Sequence, residues 1–412
     1  MISESASSER RAGPAEVVIA GGGVAALEAM IALHDLAPRR LIHVTLVSSG
    51  PDFVYRPLEV AESFCLGRRT RNSLGHVATD VGATYVEATV TSVDAEARVV
   101  RCSGGRELPF DSLIVALGAR ATPAFEHAVT LGEEGTDDAL HGILRDLEQG
   151  YLKRLAFVVP SAVVWSLPLY ELALLTAADA GSMGIDDAQL LVVSTEERPL
   201  ALFGPTAAAE VEQLLERRAI EFVGTSRAEV RRGALTITPG GRRFDAERTF
   251  SLPQLRGPRV AGLPADAQGF VPADRHGSVR GLDGIFAAGD VTAFPIKQAG
   301  IAAQQAEAAA QAVAARHGCA LDPEPFRPVL RGKLMTASSD LYLHNAIAGG
   351  AGEGSAAARA LWWPPTKIAA PRLARYLFGA EQAERMRRAG TTELPEASTP
   401  IRERRQRSRI TS

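Results

Sequence analysis

Two kinds of apolar pattern alternate along this chain. Short runs rich in Val, Ile and Leu are followed by a turn, then by segments whose apolar positions recur at helical spacing. "AEVVIAGGGVAALEAMIAL" (15–33) opens the series as strand, glycine turn and helix. "IHVTLVSSG" (42–50) predicts the next strand, ending in a turn. "ATYVEATVTSVDAEARVVRC" (83–102) predicts two β segments around Asp94-Ala95-Glu96-Ala97, a hairpin by alternation. "LPFDSLIVALGAR" (108–120) predicts a fully apolar strand that stops at glycine.

The pattern then restarts. A helix at 137–149 leads into a strand at 155–160, a helix at 168–180, a strand at 188–195 and a helix at 206–219. "IEFVGT" and a hairpin around Pro239-Gly240-Gly241 follow. "LDGIFAAGDVTAF" (282–294) is another strand running into a loop, and an alanine-rich helix from about Pro295 is closed by Gly318. Beyond 326 strands are expected again, then a flexible turn, "GGAGEGSA". A segment mixing Trp362, Trp363, Tyr376, Leu377 and Phe378 with Lys367, Arg372 and Arg375 comes next, and "RERRQRSR" forms a basic, disordered tail. The fold class is therefore α/β: two Rossmann-like three-layer domains and a smaller C-terminal region. Residues 14–125 and 251–325 form one discontinuous domain, 126–250 is inserted, 326–395 is a cap or interface, and 396–412 is the tail.

Composition narrows the function. The chain has 412 residues, 46% hydrophobic and 23% charged, with a net charge of -3, so no global field favours nucleic acid. The three cysteines, Cys65, Cys102 and Cys319, are far apart and form no CxxC. That argues against a disulfide framework, a zinc site and a CxxC redox pair, and leaves them as buried small apolar residues. The N-terminus has no apolar signal core, and the most apolar stretch, 155–170, is too short to span a bilayer and is broken by Pro160 and Pro168. A cytoplasmic protein with at most peripheral membrane contact is expected.

The first chemical motif is Gly21-Gly22-Gly23-Val24-Ala25-Ala26. Gly21 permits a tight turn, Gly23 lets backbone approach a pyrophosphate, and Ala26 stands at the helix-packing position. The helix start adds free N–H groups and a positive dipole end. Ser48 stands where a carboxylate usually holds a ribose. Asp290, after Gly289, suits a ribityl hydroxyl of a flavin. Lys297 and Gln298, at the start of the next helix, are candidates for tuning the flavin.

"VVIAGGGVAALEA", "DSLIVALGA" and "GIFAAGDVTAF", each in its place, make the chain resemble the pyridine nucleotide–disulfide oxidoreductase superfamily over about residues 15–320. "VTLVSSGPDFVYRP" and "FPIKQAGIAAQQA" are most similar to its sulfide:quinone oxidoreductase and type II NADH dehydrogenase branch. The resemblance implies non-covalent FAD, with Arg56 and Pro57 along it, the Val90 backbone at its adenine and Gly118 closing its domain. Leu117 replaces the usual Thr. No redox cysteine pair matches the family pattern: Ser166 stands where a sulfide-oxidising relative has cysteine, so sulfide oxidation through a disulfide is disfavoured.

One motif departs further. "FVVPSAVVWSLPLYELA" (157–173) has the order of a second nucleotide loop but no glycine. Pro160, Val163, Val164 and Trp165 would block a pyrophosphate, and Glu196 and Glu197 are then solvated turn residues. The leading expectation is an FAD-dependent oxidoreductase passing electrons from a small-molecule donor to an acceptor, for which a quinone is a candidate. The alternatives are an NAD(P)H-dependent reductase with an atypical nicotinamide site and a non-catalytic FAD-binding partner. The aromatic C-terminal segment is read as a cap or homodimer contact ahead of a quinone port.

Overall fold

The computed structural model describes residues 13–161, 165–347 and 354–388. Val163, Val164 and the basic tail lie outside them. Two five-stranded sheets, each wholly parallel, carry the fold. The first has Ala15–Ala20 at its centre. Ile42–Ser48 and Thr84–Glu87 lie on one side, Ser112–Val115 and Ile285–Ala287 on the other. The second centres on Arg154–Val158, with Gln189–Val193 and Ile220–Val223 to one side and Arg248–Ser251 and Val129–Thr130 to the other.

The two units share an insertion and the order of four adjacent strands, and differ at one edge: Ile285–Ala287 is the last strand of the first sheet along the chain, whereas Val129–Thr130 is the first of the second. A three-stranded antiparallel sheet, Val90–Asp94, Val99–Cys102 and Glu107–Pro109, leaves the first sheet after its third strand. Arg227–Arg231, Ala234–Thr238 and Arg242–Phe244 form the matching sheet in the second unit and leave it after Ile220–Val223. Two sequence expectations change here. Residues 83–102 form three strands, because Thr84–Glu87 pairs with Ile42–Ser48 in the parallel sheet before the hairpin begins. Residues 108–120 contain two strands, separated where the Phe110 N–H donates to Arg98 O and the Asp111 N–H to Glu16 O.

The opening helix, Val24–Leu36, is buried on every side from Ala25 to Leu33. Such a helix needs neighbours all round. It has the first sheet beneath it, the Ala299–Arg316 helix beside it and the terminal helix, Leu373–Arg388, against it. Small residues allow close approach to the first of these helices: Ala25, Ala29, Ala302, Ala306 and Ala309 all belong to one core cluster. Glu28 is fully buried in this helix and must find donors. It accepts from the N–H groups of Arg372 (2.9 Å) and Leu373 (2.7 Å), so it caps the terminal helix.

A third three-stranded sheet, Val329–Leu334, Leu341–Ala346 and Ser355–Ala357, is also antiparallel. It lies on the second unit. A Cβ on Gly332 would stand 2.6 Å from the Phe203 ring, and Asn345 Nδ2 donates to Leu202 O at 2.8 Å.

Candidate functional site

A cavity of 790 Å³ lies at the carboxyl ends of the first sheet's strands, the usual place for a ligand in an open parallel sheet. Gly21, Gly23, Ser48, Arg56, Pro57, Val90, Gly118, Gly289, Asp290, Lys297 and Gln298 all line it. The residues are up to 277 positions apart in sequence, Gly21 to Gln298, yet share one space because the Ala15–Ala20 and Ile285–Ala287 strands flank Ser112–Val115. Ala26 does not line the cavity; it is fully buried inside the core around the opening helix.

The three glycines of the first turn have different reasons. Gly21 has φ +136, and a Cβ there would stand 2.1 Å from Ala116 O. A Cβ on Gly22 would meet Ser48 Oγ at 2.5 Å. A Cβ on Gly23 would meet nothing within 4 Å of protein and would project into open space. The helix that starts at Val24 has no side-chain cap at Gly23, so its first N–H groups are free to meet an anion. Gly289 has φ +83, and a Cβ there would stand 2.9 Å from that of Ala25, which seats the strand end tightly on the opening helix.

Asp290 is half-buried at the cavity and accepts no hydrogen bond from any described residue. Burial raises its pKa, and Lys297 opposes the rise. Lys297 is itself buried; its Nζ donates to Thr292 O and lies 3.7 Å from the centre of the Phe270 ring. Burial lowers its pKa to about 8, against the attraction of Asp290 and Asp266. The helix expected from Pro295 begins at Ala299. Gln298 is its N-cap: Oε1 accepts from the Ile301 N–H at 2.8 Å, and Nε2 donates to Arg331 O at 3.0 Å. That helix start also borders the cavity through Ala299 and Ala302. An open glycine cradle, two helix starts and an unengaged carboxylate fit a dinucleotide with a flavin.

The opposite wall comes from the second unit and the C-terminal region. Trp165, Leu167, Pro168, Leu252 and Leu131 make it apolar, and Lys333, Lys367 and Ile368 complete it. Sequence reasoning assigned no site role to Leu131, Leu252 or Lys333, because no local motif marks them. Lys367 pairs with Glu171, both almost fully buried, and Glu171 also accepts from the Met335 N–H at 3.0 Å. Burial raises the pKa of Glu171, and Lys367 pulls it down. Lys333 pairs with Asp340 at 2.9 Å. The Ile368 N–H donates to Tyr55 OH at 3.0 Å, tying this wall to the first unit.

Two expectations are overturned. Glu196 is not a solvated turn residue: its carboxylate accepts from Ser166, Tyr170 and Ser194 hydroxyls, because the turn folds back over the start of the Leu167–Ser182 helix. Cys65 is exposed, at φ +57, where the short Glu59–Glu62 helix ends. Cys102 is buried and Cys319 half-buried, and none of the three lines the cavity.

Paired Rossmann-like units with a flavin-sized cavity at one of them define an FAD-dependent oxidoreductase. Residues 15–310 match the family described as pyridine nucleotide-disulphide oxidoreductase, and the chain belongs to it. A NADH dehydrogenase-like protein of Mycobacterium tuberculosis is 31% identical over 310 residues, 67% of this chain and 72% of that one. A sulfide-quinone reductase of Aquifex aeolicus is 23% identical, over 68% of this chain and 69% of that one. The fold is also similar to the solved sulfide:quinone oxidoreductase of Aquifex aeolicus, with a TM-score of 0.76, 18% identity and 92% of each chain covered.

Proposed function

We propose that this oxidoreductase carries electrons from a small-molecule donor to an apolar acceptor of the quinone class, both meeting FAD at the single cavity described. When bound, FAD supplies the two-electron chemistry. Residues 14–125 and 251–325 form its binding domain on this reading. Gly21 and Gly23 admit the pyrophosphate, Ser48 and Asp290 hold hydroxyls, and Val90 meets the adenine. Arg56, Pro57 and Gly118 border the ligand, while Ala26 seats the opening helix. Residues 126–250 keep the nucleotide-domain order but serve as a wall, and 326–395 cap the cavity. Lys297 and Asp290 set the charge where the Ala299–Arg316 helix begins; Gln298 holds that helix start in register.

The observation that carries this reading is the composition of the opposite wall. Trp165, Leu167, Pro168, Leu252 and Leu131 face the cavity, and no cysteine does. Such a wall suits an apolar acceptor and offers no thiol to trap sulfide as a persulfide.

The name of the Mycobacterium tuberculosis relative supports a second reading, an NADH-dependent enzyme with a rebuilt nicotinamide site. An anaerobic donor screen separates the two. Purified protein is expected to be yellow, and NADH, NADPH and sulfide are expected not to bleach it within the mixing time. A short-chain quinone is expected to restore the colour after dithionite treatment. Rapid bleaching by NADH would overturn the first reading in favour of the second.

A further inference from the structure

The end of the second strand in a nucleotide-binding sheet is where a carboxylate holds a ribose. In the first sheet Ser48 occupies that place and opens on the cavity. In the second sheet the strand is Gln189–Val193, and the carboxylate just beyond it is Glu196. This carboxylate is already engaged. Oε1 accepts from Ser166 Oγ at 3.1 Å; Oε2 accepts from Tyr170 OH at 2.7 Å and Ser194 Oγ at 3.0 Å. All three donor residues are buried.

The backbone closes the same place from the other side. The Thr225 N–H donates to Glu196 O and the Ser226 N–H to Ser194 O, each at 2.8 Å. A Cβ on Gly224 would stand 2.5 Å from Glu197 O, so the two loops touch. A ribose could reach Glu196 only by displacing three hydroxyls from a charge-assisted cluster.

Ser166 connects this cluster to the flavin cavity. It lies between Trp165 and Leu167, which line the cavity together with Pro168. Trp165 is braced edge-on by Phe203, with ring centres 5.6 Å apart. We infer that Glu196 is a positioning residue: the carboxylate at the second sheet's ribose-holding place clamps the Ser166 turn and fixes the Trp165–Leu167–Pro168 wall of the first sheet's cavity. Burial raises the pKa of Glu196, and the three hydroxyls oppose the rise. Ser166, where the described chain leaves that turn, is thus held by a side chain instead of by a bound phosphate. This inference rests on the reading that an apolar acceptor meets that wall.

The test uses FAD-loaded protein and the variants Ser166→Ala, Tyr170→Phe and Glu196→Gln. Each sample is reduced with dithionite under nitrogen and mixed with decylubiquinone. Ser166→Ala cuts the bond that reaches the chain between Trp165 and Leu167 and leaves the other two. It is expected to raise the half-saturating quinone concentration about tenfold, with the limiting rate within about twofold of wild type. Flavin emission, which needs no acceptor, is expected to change in Ser166→Ala and to stay the same in an exposed control, Arg231→Ala. Tyr170→Phe and Glu196→Gln, which loosen the clamp without removing Ser166, are expected to shift both readouts in the same direction by less. A folded Ser166→Ala protein with wild-type quinone dependence and emission overturns the clamp. So does a Glu196→Gln protein whose flavin NADH now reduces, since the carboxylate would then be guarding a nucleotide site. If wild-type protein ignores the quinone, the acceptor reading falls, and the emission comparison still decides the clamp.

Discussion

A methyl group on Gly21 and one on Gly23 have opposite consequences. At Gly21 it collides with Ala116 O at 2.1 Å, and its φ of +136 belongs to a region that only glycine occupies easily. Gly21→Ala is expected to lose at least about 1–3 kcal/mol from backbone strain, measured by denaturant unfolding of the cofactor-free protein. At Gly23 the methyl meets no protein atom. Gly23→Ala is expected to unfold like wild type and to retain FAD at least about tenfold more weakly, a loss of about 1.4 kcal/mol. Lys297 gives a second test. Its pKa falls from 10.5 to about 8 on folding. Between those values the unfolded chain holds a proton that the folded chain has released, so stability rises with pH across that window. Cofactor-free Lys297→Met is expected to lack this rise when unfolding is followed from pH 8 to 10.5.

At the scale of elements, the buried Glu171–Lys367 pair joins the Leu167–Ser182 helix to the C-terminal segment. Lys367→Met leaves a carboxylate buried without its cation and is expected to cost about 3–5 kcal/mol, while the double variant with Glu171→Gln recovers much of it. Matched denaturation curves for the two proteins measure the difference. Elements of this kind mark the limit of what the sequence discloses. The strand-turn-helix at 15–36 was legible because its glycines, its apolar run and its helical spacing are all local. The helix expected from Pro295 starts four residues later, since Gln298, itself extended, caps it by side chain and Pro295–Lys297 lie outside the helix. Glu196 was misread because its three donors come from residues 2, 26 and 30 positions away, and only folding brings them together. Lys367 stood out as a cation among aromatics, but nothing nearby in sequence announces Glu171.

For the whole molecule, the repeated architecture was legible and the division of labour between the repeats only partly so. Both sheets have the same order in four adjacent strands and the same antiparallel insertion. One keeps its glycine cradle; the other ends in a wall of side chains. Removing the chain from residue 361 onward is expected to strip FAD from the protein on gel filtration, since Lys367 and Ile368 line the cavity and the Leu373 N–H donates to the buried Glu28. The tie between Tyr55 and Ile368 spans 313 positions and carries a consequence for biosynthesis. A ribosome delivers the glycine cradle early but withholds the last piece of the enclosure until residue 368 has been made. The prosthetic group can therefore be locked in only once that segment has emerged, and a chain ended before it would present a half-built berth.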